Sequence, residues 1–92
     1  MRILVVEDEP TLLAQLVAAI TAAGHTVEMA RDGQEAAYLG EVEDFDAVVL
    51  DLGLPIVDGL SVLRGWRRQG RSMPVLILTA RGNWSEKVAG ID

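Results

Sequence analysis

A doubly wound α/β domain, with a parallel sheet between two layers of helices, is the fold this chain predicts. Short apolar, β-branched runs recur along it and alternate with longer stretches in which apolar residues return at a helical period near 3.6. Each strand-helix-strand passage must bring the chain back to the same end of the sheet. Neighbouring strands are therefore parallel, and helices lie on both faces. Composition agrees: 50% of residues are hydrophobic but only 4% aromatic, so Val, Leu, Ile and Ala must build the core.

Arg2 to Val6 reads as the first strand. The helix after it places Leu12, Leu13, Leu16, Val17 and Ile20 on one face, with Pro10 suited to a first turn and Gly24 to a stop. Thr26 to Ala30 is the second strand. Asp32 starts the second helix, with Glu35 three residues on as its capping-box partner. Asp46 to Leu50 is the third strand, and Asp58 opens a third helix running to about Gln69. Pro74 to Leu78 is the fourth strand. A fourth helix opens at Asn83, with Glu86 three further on, and has run barely two turns at Asp92. No linker, repeat or low-complexity segment interrupts this single unit.

Arg64, Arg67, Arg68 and Arg71 crowd the end of the third helix. A phosphate-binding reading is outweighed by a plainer one, in which cations complement a helix C-terminus and stay solvated. Trp66 and Trp84 read as helix residues packing on or near the surface. His25 reads as a solvated turn residue with no second histidine to build a site.

With 14 acids against 8 bases, the net charge of -6 opposes phosphate neutralisation and makes this chain alone a poor nucleic-acid binder. The absence of cysteine removes disulfides and thiolate metal sites, which suits a cytoplasm. Acids at Glu7, Asp8 and Glu9 come too early for a signal peptide. No apolar run approaches the ~20 residues of a membrane span.

Function in a doubly wound sheet gathers at the carboxyl ends of the strands. Here the first strand delivers Glu7 and Asp8, the third Asp51, and the fourth Thr79. The stretch VVLDLGLPIVDG, residues 48 to 59, shows the oddity: a buried-looking strand ends on an acid, which needs water, a partner or a metal. Hard oxygen ligands without His or Cys suit Mg²⁺. The same setting makes Asp51 a candidate nucleophile for phosphoryl transfer, with Thr79 placed to hydrogen-bond a phosphoryl oxygen. Each residue alone has a duller reading. Acids after strands are common turn formers, and Asp8 is a candidate cap for the first helix. The coincidence of polar groups at three strand ends, with Gly53 and Pro55 shaping the loop after Asp51, favours chemistry.

RILVVEDE, VVLDLGLPIVDG and PVLILTAR, in that order and spacing, resemble the receiver domain of two-component response regulators across the whole chain. DLGLP, the Trp66-Arg67 pair and TARGNWSEKV are similar to the PhoP branch of the OmpR-type transcriptional regulators. The resemblance implies a flavodoxin-like (CheY-like), three-layer fold with strand order 2-1-3-4-5. It implies that Asp51 accepts a phosphoryl group from a sensor histidine kinase, without turnover of any external metabolite. It also implies Mg²⁺ held by Asp8, Asp51 and the Gly53 carbonyl, with Glu7 acting through water, and Thr79 as the switch residue.

The family's lysine after a fifth strand has no match, since Lys87, the only lysine, falls in the fourth predicted helix. The resemblance thus covers residues 1–92 as a receiver domain lacking the fifth strand, the fifth helix and the effector domain through which such regulators bind DNA. Without a fifth strand, residues 74 to 79 would form an exposed apolar edge, and pairing or element exchange between copies is expected there. A receiver-like interaction module that is never phosphorylated stays open as an alternative. Two enzyme classes fit poorly. A haloacid dehalogenase-type phosphotransferase needs a second acid where Gly53 stands, and a nucleotide-binding domain needs a Gly-rich loop where this chain has EDEPTLL.

Overall fold

Alternation along the strands decides the layering. Leu4 and Val6 of β1 (Arg2–Val6) and Val48 and Leu50 of β3 (Ala47–Asp51) join one buried cluster, while Ile3, Val5 and Val49 join a second on the opposite face. Successive side chains of a strand point to opposite faces, so a sheet buried on both sides reads as an unbroken apolar run. The computed structural model describes residues 1–78 and the backbone of residues 84–89.

The remaining elements are α1 (Pro10–Ala22), β2 (Thr26–Ala30), α2 (Gly33–Val42), α3 (Gly59–Arg68), β4 (Val75–Leu78) and β5 (Trp84–Ala89). The sheet order is β2-β1-β3-β4-β5, with β1 parallel to β2 and β3, and β4 parallel to β3. The four parallel strands have the flavodoxin-like arrangement the sequence predicted; the antiparallel β5 at the edge was not expected. Leu13 and Leu16 of α1 pack on Ile3, Val5 and Val49. Ala36 of α2 and Val62, Leu63 and Trp66 of α3 pack on the other face with Leu4, Val6, Leu50 and Val75.

Several local expectations are corrected. Residues 84–89 do not open a fourth helix: they form a strand antiparallel to β4, with Val75 opposite Ala89 and Leu76 opposite Val88. Ladder hydrogen bonds to β4 override the local cap signal at Asn83, because main-chain groups beside an apolar strand need partners. The fourth strand is thus covered by the chain's own segment, and the expected pairing between copies through residues 74 to 79 loses its premise. Trp66 is 1% exposed, not a surface residue, and its indole N–H donates to the Ala37 carbonyl at 3.3 Å. Arg67 and Arg71 are not simply solvated. Arg67 donates to the carbonyls of Arg71 and Met73, and Arg71 to those of Gly40 and Glu43 and to the Asp44 carboxylate. Together they fasten the ends of α3 and α2.

Candidate functional site

Register brings the acids together. Val6 lies beside Leu50 in the parallel β1–β3 pair, so the next residues, Glu7 and Asp51, fall in one row at the carboxyl end of the sheet. Parallel neighbours run ~4.8 Å apart and same-row side chains share a face. Glu7 is 3% exposed and Asp51 5%, while Asp8 is exposed. One carboxylate oxygen from each of the three lies within 4.8 Å of the others.

Local hydrogen bonds hold two of the three acids, Glu7 and Asp51. The Glu7 N–H donates to the Ala30 carbonyl at 3.0 Å, which ties the end of β1 to the end of β2. Glu7 Oε2 accepts the Glu9 N–H at 3.0 Å, and Asp51 Oδ1 accepts the Gly53 N–H at 3.1 Å. The cap of α1 is Glu9, not Asp8: its carboxylate takes the N–H groups of Thr11 and Leu12. Capping therefore leaves the Asp8 carboxylate with the other two acids.

Like charges this close repel by roughly 3 kcal/mol at an effective dielectric of ~20. Burial is the main reason the Glu7 carboxyl is pushed above the usual carboxylate range. The Glu9 N–H opposes that shift, and the neighbouring Asp51 and Asp8 carboxylates add to it. Three hard oxygen donors, two of them buried, fit a divalent cation of the Mg²⁺ kind, whose charge offsets the repulsion and the desolvation together.

The loop after Asp51 is tightly built. Asp58 caps α3 by accepting the Ser61 N–H at 2.9 Å, and the Gly59 N–H donates to the Leu52 carbonyl at 3.1 Å. A Cβ on Gly59 would overlap the Asp51 carbonyl oxygen. Ile56, exposed at 71%, has φ +71°, a conformation unfavourable for a β-branched residue. Sequence reasoning missed this turn, and it missed Gly33, whose N–H donates to the Pro55 carbonyl at 3.1 Å. The DG pair at 32 and 33 was its one visible trace. Gly53 lies on this loop beside Asp51, whereas Thr79 lies outside the described residues.

The model of the response regulator receiver domain family matches residues 3–92. The transcriptional regulatory protein TcrA of Mycobacterium tuberculosis is 50% identical over 91 residues, covering 99% of this chain and 36% of that protein. The two-component response regulator PhoP of Pseudomonas aeruginosa is 47% identical over 91 residues, covering 99% and 40%. The chain thus spans about two fifths of the length of these curated relatives. Among solved structures, the receiver domain of the sensor histidine kinase PA1611 from Pseudomonas aeruginosa, with a magnesium ion coordinated in its active site cleft, superposes with a TM-score of 0.82. It is 36% identical, and the match covers 86% of this chain and 66% of that one.

Proposed function

We propose, from the premise that this chain belongs to the response regulator receiver domain family, that Asp51 is its phosphoacceptor and that Glu7, Asp8, Asp51 and the Gly53 carbonyl form its Mg²⁺ site. The convergence of three carboxylates at adjoining strand ends is the observation that carries this reading. A bound Mg²⁺ would neutralise charge on the transferring phosphoryl group. The Gly53 N–H fixes Asp51 Oδ1, so the carboxylate is held from rotating and its second oxygen is presented for attack. That oxygen forms the bond to phosphorus as the P–N bond of a phosphohistidine donor breaks, and the electron pair stays on the imidazole nitrogen. Burial of Asp51 and Glu7 excludes bulk water and strengthens each of these interactions. Thr79, the residue after β4, donates its hydroxyl to a phosphoryl oxygen and serves as the switch.

Residues 1–92 act in this reading as the receiver portion of a longer PhoP-like transcriptional regulator, working in the cytoplasm. A sensor histidine kinase is its donor, and DNA is reached only through an effector domain. No helix among the described residues is long and apolar enough to cross a membrane. An interaction module that is never phosphorylated would have no need to hold three repelling acids together.

Incubation with Mg²⁺ and acetyl phosphate, followed by intact-mass measurement, tests the assignment. The parent should gain one phosphoryl group and an Asp51→Asn variant none. Equal labelling of both would redirect the assignment to another acceptor.

A further inference from the structure

The acids belong to two separate pieces of chain: Glu7 and Asp8 at the end of β1, and Asp51 with Gly53 at the start of the loop to α3. The β1–β3 ladder joins those pieces directly, and a third segment touches both beyond the end of that ladder. The Ala30 carbonyl, at the end of β2, accepts the Glu7 N–H at 3.0 Å. Three residues later the Gly33 N–H, at the start of α2, donates to the Pro55 carbonyl in the middle of the Asp51 loop at 3.1 Å. Residues 30–33 contribute no carboxylate to the cluster, yet they bridge its halves.

The bridge leaves no room for a side chain. Gly33 is buried, and a Cβ there would overlap the Val57 carbonyl oxygen and sit 2.6 Å from its carbonyl carbon and 2.8 Å from its Cβ. Two of these three atoms are backbone, so the loop itself would have to retreat. On the other side of Pro55 the chain has already been bent to fit. The Val57 N–H returns to the Pro55 carbonyl at 2.8 Å across Ile56, whose positive φ marks the rare, strained form of the γ-turn. An exposed β-branched residue keeps such a conformation only where its surroundings over-determine it. Here the Pro55 carbonyl accepts both the Val57 and the Gly33 N–H, and Val57 packs against the main buried cluster.

From this juxtaposition we infer that Gly33 is a positioning residue for the Mg²⁺ site: the β1–β3 pairing sets Asp51 beside Glu7, and the contact of Gly33 with Pro55 and Val57 sets how closely the following loop, which carries Gly53, sits against them. The inference builds on the metal site proposed above and adds a residue that touches neither the ion nor the acids. Groups that hydrogen-bond a metal ligand change affinity by roughly 10- to 100-fold when lost, and Gly33, acting one step further out through the loop, is expected at about the lower figure. Linkage adds a second consequence. If the closed contact favours the ion, the ion must favour the closed contact by the same factor.

The test is Mg²⁺ titration calorimetry on the parent, on Gly33→Ala and on Gly65→Ala, at a temperature where urea curves show each fully folded. Gly65 is a control in α3, where an added Cβ meets nothing closer than Arg68 Nη2 at 4.0 Å. Gly33→Ala should bind Mg²⁺ about tenfold more weakly, and Gly65→Ala like the parent. A folded Gly33→Ala with parental affinity would overturn the inference and leave the metal site intact. Amide hydrogen exchange of the parent decides the matter if Gly33→Ala does not fold. Saturating Mg²⁺ should slow exchange at Gly33 and Val57 while the Gly70 amide, in the turn after α3, stays unchanged. No slowing at Gly33 would overturn the inference. A parent that binds no Mg²⁺ at all would overturn the site and this inference with it.

Discussion

Replacing Gly59 with alanine tests how closely the first turn of α3 is seated on the end of β3. A Cβ there would overlap the Asp51 carbonyl oxygen and stand 2.8 Å from Leu52 Cα and 3.2 Å from the Asp51 carbonyl carbon. Every one of these atoms is backbone, so no rotamer change relieves the clash. Moving Leu52 Cα from 2.8 Å out to the 3.4 Å of ordinary contact takes a shift of at least about 0.6 Å in the segment that carries Asp51, and the Asp51 carbonyl oxygen needs more. Overpacking of this sort costs about 1–3 kcal/mol, and the better helix propensity of alanine returns up to ~1 kcal/mol. The net loss is roughly 1–2 kcal/mol, or a melting temperature lower by ~5–15 °C for a domain of this size. Gly65→Ala, six residues on in open space, should instead raise stability by about 0.5–1 kcal/mol. Calorimetric melting of the two variants beside the parent gives the answer. Shifts of the same sign in both would show that crowding at Gly59 does not govern the junction.

Asp8→Asn should melt higher than the parent without Mg²⁺, by roughly 1 kcal/mol of relieved repulsion, and should lose the Mg²⁺-dependent rise in melting temperature; a rise that persists would remove Asp8 from the site. Trp66→Ala empties the largest fully buried side-chain volume of the α2/α3 layer and should cost about 3–5 kcal/mol in urea unfolding, so a loss under ~1 kcal/mol would contradict the packing described. Asp58 is held below its ordinary range by the Ser61 N–H and hydroxyl. Because its folded pKa is depressed, its contribution is present above the unfolded value near ~3.9 and is lost as pH falls through the folded one. The stability gap between parent and Asp58→Ala should therefore close below about pH 4 in acid urea titrations, and a gap that stays constant would refute the cap.

The central strands β1 and β3 were legible because each is a short apolar run with both faces buried, whereas the edge strand β2, with Thr26 and Met29 exposed, was marked by its β-branched residues and flanking turns. Boundaries slipped by one residue in the third and fourth strands for local reasons. The Arg2 N–H goes to the Asp46 carboxylate at 2.7 Å and not to a main-chain carbonyl, and Pro74 joins β3 only through its carbonyl, which accepts the Val48 N–H at 2.9 Å, so the full ladders start one residue later. The helix read at residues 84–89 failed because local cap chemistry cannot register a neighbour strand that lies remote in sequence. Trp66 was readable in principle: Val62, Leu63 and Trp66 recur at helical spacing, but the acceptor that makes an indole tolerable in the core, Ala37, sits in another helix. The same limit hid the Gly40 and Glu43 carbonyls that Arg71 reaches, while the Arg71 and Met73 carbonyls that Arg67 reaches lie close in sequence but in a connection that no periodicity marks. Of the site, the acids were legible because their strand ends align. The contact between Gly33 and Pro55 was not, since it joins the first residue of α2 to a loop with which it shares no pattern.

The most direct measurement of the central assignment is the chemical identity of the acceptor. After treatment with acetyl phosphate and Mg²⁺, borohydride reduction converts an aspartyl phosphate to homoserine, and peptide mass mapping locates the converted residue. Homoserine at position 51, absent when Mg²⁺ is withheld, is the predicted result. A reduced residue at position 8, or labelling with position 51 still aspartate, would contradict it.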